Sequence, residues 1–163
     1  MGGTRAKLEA VGIEALGIIE DRAEPVRRYF AIRPPRLRLA TDPERAVHRS
    51  YGVPMPLYVG AYTELRETTR INPTGELPEP MPVPAAMKRL NEMEGFDEIP
   101  EVKAVMDEFP KRDFAMHVGH FLVDRSGVVR WTWVESPSPE DLTQYGRLPT
   151  DDEILTAVRA AGR

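Results

Sequence analysis

Read from its N-terminus, the chain alternates short helical and short extended patterns. Thr4 is an N-cap candidate, Leu8 and Val11 recur at helical spacing, and Gly12 is a stop, so a helix over Thr4 to Val11 is expected. Ala15 to Glu20 is a brief apolar run of the kind expected for a buried strand. Asp21 then offers an N-cap, Pro25 fits a first helical turn, and Val26, Tyr29 and Phe30 supply an apolar stripe. Pro34 and Pro35 require a loop, after which Arg36 to Ala40 alternates as a strand with Leu37 and Leu39 on one face. Thr41-Asp42-Pro43-Glu44 starts another helix, expected to reach Tyr51 and stop at Gly52, with Ala46, Val47 and Ser50 or Tyr51 on its buried side.

Residues 53–116 break this rhythm. Seven prolines fall between Pro54 and Pro84, and their missing N–H groups oppose a strand ladder, so an extended, polyproline-like excursion is expected. Short helices are expected near Ala85 to Met93 and Glu101 to Phe109. The segment reads as an insertion with its own small helices. Order returns with two β-rich runs, His120 to Asp124 and Val128 to Val134, around Arg125-Ser126-Gly127: a hairpin that places Val129, Trp131 and Trp133 on one face. A polar, proline-containing loop from Ser136 to Leu148 follows. The last helix is capped by Thr150 with Glu153 at the capping-box position, carries Ile154, Leu155 and Val158 as its stripe, and ends at Gly162.

Strands alternating with helices predict an α/β domain whose sheet is partly parallel, with the hairpin adding antiparallel strands. At 163 residues the chain is sized for a single domain able to bury a core. Its net charge of -4 gives no general attraction to phosphate backbones, so no nucleic acid is expected, and no apolar run reaches the roughly 18–20 residues of a membrane span. A soluble, cytoplasmic protein is the expectation. The chain has no cysteine, which excludes disulfides, thiolate metal sites and cysteine nucleophiles within it.

Three stretches carry a resemblance: Gly17-Ile18-Ile19-Glu20-Asp21; Leu39-Ala40-Thr41-Asp42-Pro43-Glu44 through Tyr51-Gly52-Val53; and Phe121-Leu122-Val123-Asp124-Arg125-Ser126-Gly127-Val128-Val129-Arg130. Together, over about half the chain, they resemble the redoxin group, the alkyl hydroperoxide reductase / thiol-specific antioxidant family with its peroxiredoxin-like members on a thioredoxin fold. The resemblance implies a thioredoxin-like mixed sheet flanked by helices, residues 53–116 inserted in it, and thiol-dependent reduction of peroxides or disulfides. In the family a strand and helix carry the redox cysteine, whose thiolate is stabilised at a helix N-terminus. Here the chain starts at what looks like the tail of that helix, and nothing aligns with the cysteine. The position that relatives fill with a cis-proline or an arginine falls near Val118. The chain is therefore expected to be inactive as it stands, a truncated form of a longer polypeptide or a degenerate member, with truncation favoured. The alternative is a non-catalytic protein-binding or dimerisation module.

No residue is assigned as catalytic, cofactor-binding or metal-ligating, and no cofactor is implied. His117 and His120 stand three apart, which on a strand turns their rings to opposite faces and disfavours a metal pair. Trp131 and Trp133 read as core before they read as a stacking platform, and Arg27-Arg28 with Arg36 and Arg38 as a solvated basic face. Asp124 and Glu20 end expected strands; Asp124 reads as a turn stabiliser and not an acid–base group. The insertion's Tyr58, Tyr62, Leu65, Ile71, Leu77, Met81, Met87, Leu90, Met93, Phe96, Met106 and Phe109 are too many apolar groups for a solvated tail. They either cap the sheet within the molecule, the favoured reading, or form a homodimer or partner surface.

Overall fold

The computed structural model describes residues 2–32, 34–35, 37–56, 60–95, 100, 104, 117–136, 138 and 140–162. The chain divides into two compact units, Met1–Gly52 and Val53–Arg163. Among the described residues the architecture is mixed α/β, with six helices and three two-stranded sheets. Of the helix expected over Glu101 to Phe109 only Ala104 is among the described residues, where it is helical; Tyr58, Phe96 and Met106 lie outside them.

In the first unit, α1 (Gly2–Ala10) begins two residues ahead of Thr4 and closes at Val11 and Gly12, where the amide of Ile13 returns to the carbonyl of Leu8 at 2.9 Å. Strand β1 (Leu16–Ile19) pairs in parallel with β2 (Arg38–Thr41), Gly17 opposite Leu39, and α2 (Ala23–Ile32) connects them. A Cβ on Gly17 would stand 2.7 and 2.8 Å from the methyl carbons of Leu39 and Leu37, so this glycine admits the two leucines the alternation places on one face. The opposite face departs from expectation: β1 is not a fully buried strand, since Leu16 and Ile18 are 56% and 38% exposed. A four-residue apolar run cannot distinguish a strand covered on both faces from one covered on a single face.

The third helix is also shorter than expected. It spans only α3 (Ala46–Ser50), with none of its residues buried and Tyr51 beyond it exposed. Its N-cap is Arg45, held in the left-handed region at φ 55°. Asp42 acts from three residues farther back. Its buried carboxylate accepts from the amides of Ala46 and Val47, each at 2.9 Å, from that of His48 at 3.3 Å, and contacts His48 Nδ1 at 3.1 Å. Burial pushes the Asp42 carboxyl up, but these bonds prevail and hold it below its ordinary value.

In the second unit the proline-rich stretch is more ordered than a polyproline excursion. Helix α4 (Gly60–Thr68) precedes a small antiparallel pair, β3 (Arg70–Ile71) with β4 (Met81–Pro82), and α5 (Val83–Met93) follows at once with Pro84 in its first turn. The prolines fall where no ladder donor is lost: Pro82 ends its strand, and Pro73 and Pro78 lie in the intervening turn. Asn72 clasps that turn by accepting from the amide of Leu77 at 3.2 Å and donating to its carbonyl at 2.9 Å. The core of the unit is Tyr62, Ile71, Leu77, Val83, Ala86, Leu142 and Tyr145, with Leu65, Met81, Met87 and Leu90 packed against it. These side chains of the insertion pack on one another and on Leu142 and Tyr145, while Met93 is 48% exposed. The expected polar loop 136–148 in fact supplies two core members, and Leu142 is only 1% exposed.

The hairpin of β5 (Gly119–Val123) and β6 (Val129–Val134) forms where expected, with Leu122 opposite Trp131 and a bulge at Val123. Asp124 does hold the turn, accepting from the amides of Ser126 at 2.8 Å and Val128 at 3.0 Å and from Arg130 Nε at 2.6 Å. Helix α6 (Asp151–Ala161) carries the complete capping box of Thr150 and Glu153 and lies against β6. Among the described residues the parallel pair and the hairpin form separate two-stranded ladders. Periodicity gives strands and their order, whereas pairing between distant strands depends on register, which the pattern leaves open. No helix among the described residues is long and apolar enough to cross a membrane.

Candidate functional site

The described polar groups are most concentrated at the base of the hairpin, in the second unit. His117 lies two residues before β5 and is 4% exposed. Its Nδ1 is 2.9 Å from the Glu135 carbonyl and 3.3 Å from that of Ser136. Carbonyl oxygens only accept, so Nδ1 carries the proton. In the neutral ring Nε2 is then a bare acceptor, and the buried Tyr62 hydroxyl, 3.0 Å away on α4, donates to it. Burial pushes the His117 pKa below its ordinary value; the two carbonyl bonds oppose this, and the nearby Arg66 charge adds to the depression. The edge of the ring meets Tyr145 at 5.6 Å between centroids, and the Arg66 guanidinium stands 5.8 Å above the same tyrosine.

Glu135 closes the other side. It is 4% exposed, and its Oε2 accepts from the amide of Val118 at 3.0 Å while Oε1 accepts from the amide of Gly146. Burial raises its pKa, and the two amide bonds oppose that rise. Gly146 has φ +77°, and a Cβ there would meet Pro73 at 3.0 Å and the Met87 sulfur at 3.2 Å, so the close approach of this amide to Glu135 depends on glycine. Ser136, 1% exposed, adopts φ 52°, and its Oγ has no hydrogen-bond partner among the described residues. A buried, strained residue next to a buried carboxyl is an arrangement often kept at functional sites. Here the polar atoms of His117, Tyr62 and Glu135 are turned on one another and on backbone, so the cluster ties α4, the hairpin and the 136–148 segment together.

His120 occupies a different environment from His117. On β5 opposite Trp133, it meets that ring edge-on at 5.5 Å, and burial pushes its pKa down. Arg147 stands 5.9 Å over Trp133, and both tryptophans are half-buried. The two histidines thus do not converge, and among the described residues no group of three or more potential ligands could hold a metal. Glu20, in the first unit, is buried. Sequence reasoning missed Tyr62, Glu135, Ser136 and Tyr145 as a group. The one local signal was a charged residue, Glu135, placed directly after an aromatic strand. Fold and cluster define a mixed α/β protein with an enclosed, hydrogen-bonded histidine. Compared with family models, with curated proteins and with solved structures, the chain shows no significant match.

Proposed function

We propose that this chain is a redoxin-type scaffold that works by association and not by turnover. The order β1–α2–β2, a helix led by Asp42-Pro43, a hairpin held by Asp124 and a final capped helix supports the peroxiredoxin-like resemblance. A thioredoxin-like arrangement belongs to the same proposal. The observation that carries the non-catalytic reading is the lack of any cysteine in the chain, because hydroperoxide or disulfide reduction in such proteins proceeds through a thiolate. The hydroxyl, imidazole and carboxyl groups of the enclosed histidine cluster cannot take the place of a sulfur that is oxidised and reduced in turn.

The partner we assign is a second copy of the chain. Residues 1–52 contain ten basic and seven acidic side chains, a net of +3, whereas residues 53–163 contain 12 basic and 19 acidic, a net of -7. Reciprocal contact between the basic unit of one copy and the acidic unit of the other joins opposite charges and forms a closed pair. The exposed Leu16 and Ile18 of β1 add an apolar strip within the basic unit. Light scattering coupled to size exclusion is the test. A dimer at low ionic strength that dissociates on adding salt or on Ile18→Glu is expected, and a monomer at every concentration overturns the reading. In parallel, peroxide consumption with a dithiol reductant should not exceed the buffer rate; turnover by the pure chain overturns the chemical part.

A further inference from the structure

The first unit holds a feature that the association reading does not use. Between α2 and β2 lies a groove of about 280 Å³ lined by Ala23, Val26, Arg27 and Phe30 from the helix and Leu39, Ala40 and Thr41 from the strand. The helical liners sit at positions i, i+3, i+4 and i+7, one face of α2. Three consecutive strand residues line the other wall, so that wall is the edge of β2 and not one face of it. Among the described residues β2 pairs only with β1, which leaves polar backbone groups directed along this edge.

Among the described residues Arg27 is the single charged liner, and it is exposed. No described acidic side chain pairs with it. Glu24, three residues earlier on the same helix, makes no ion pair, while Glu9 is taken by Arg5 at 2.6 Å, Glu14 by Arg38 at 2.5 Å and Asp42 by His48. The unit is net positive, so an anion is drawn to it. An apolar cleft with one well-placed polar group is the usual form of a small-molecule site. At about 280 Å³ the groove lies at the small end of the range for ligand pockets, so its ligand is a small one.

We propose that this groove binds a small apolar monocarboxylate, its hydrocarbon or aryl part against Val26, Phe30 and Leu39 and its carboxylate on Arg27. A guanidinium suits a carboxylate because its paired N–H groups match the two oxygens. This inference is independent of the dimer: it concerns one wall of one unit and survives if the chain is monomeric.

The test is amide chemical-shift mapping of the whole chain titrated with phenylacetate, a ten-atom arylcarboxylate. Saturable shifts confined to residues 23–30 and 39–41 are expected, with binding weakened about tenfold in Arg27→Gln, the usual scale for one lost charge-assisted bond, and unchanged in Arg28→Gln. Phenylacetamide, the neutral analogue of the same shape, should bind about as weakly as phenylacetate does to Arg27→Gln. Acetate should give no saturable shift at the groove. Shifts that do not saturate or fall elsewhere overturn the site. Equal binding of phenylacetate and phenylacetamide, or by Arg27→Gln, overturns the anionic assignment.

Discussion

The bond between Tyr62 and His117 gives the sharpest quantitative test of the hairpin-base cluster. Tyr62→Phe removes one hydroxyl and leaves the ring, so it opens little cavity. What it leaves behind is the Nε2 acceptor of a histidine that is only 4% exposed, with the other nitrogen already committed to the Glu135 carbonyl at 2.9 Å. A buried polar group that loses its partner costs about 1–3 kcal/mol. Two carbonyls still hold the ring in place, so the expected loss is near the middle, about 2 kcal/mol. With a urea slope of about 2 kcal/mol/M, the unfolding midpoint should fall by about 1 M. A double-mutant cycle with His117→Leu isolates the pair: once the acceptor is gone, removing the hydroxyl should cost far less, giving a coupling energy of about 1 kcal/mol or more. A coupling within about 0.3 kcal/mol of zero refutes the account of His117 as a neutral acceptor held by Tyr62.

The remaining predictions concern acid sensitivity and the shared core. His117 and His120 both have folded pKa values below the ordinary 6.5, so the unfolded chain takes up protons first; urea midpoints should be level above pH 6.5 and fall as pH drops below it, and His117→Gln should flatten that fall. Glu135 has the opposite sign: its folded pKa lies above 4.5, so its contribution is complete below 4.5 and diminishes as pH rises from there. Leu142→Ala empties a site that is 1% exposed and should cost about 2–5 kcal/mol by urea unfolding, whereas a truly peripheral loop would tolerate it with less than about 0.5 kcal/mol.

Local structure was legible wherever one residue type solves one local problem. Thr150 and Glu153 announced their reciprocal cap, Asp124 its turn, and the alternation around Arg125-Ser126-Gly127 its hairpin, because the cap and turn bonds span six residues or fewer and the hairpin ladder grows outward from that turn. The stretch Thr41 to Glu44 was legible as a helix start, but the left-handed Arg45 moved that start beyond it. Helix α4 was hidden by the prolines around it, although none lies within Gly60–Thr68. The site was hardly legible at all. Tyr62 and His117 are 55 residues apart, and Glu135 bonds amides 17 residues before it and 11 after it. Such contacts follow from chain path, and no periodicity encodes them. Of the strands, β1, β2 and the hairpin pair were visible, and the two-residue β3 and β4 among the prolines were not.

The Glu135 carboxylate has a kinetic corollary. Its two oxygens restrain the amides of Val118 and Gly146, which belong to different segments, so neither amide can meet solvent unless the same side chain lets go. Deuterium should therefore enter both positions with a common opening rate, and a fluctuation that frees the end of the 136–148 segment would at the same moment loosen the entrance to the hairpin.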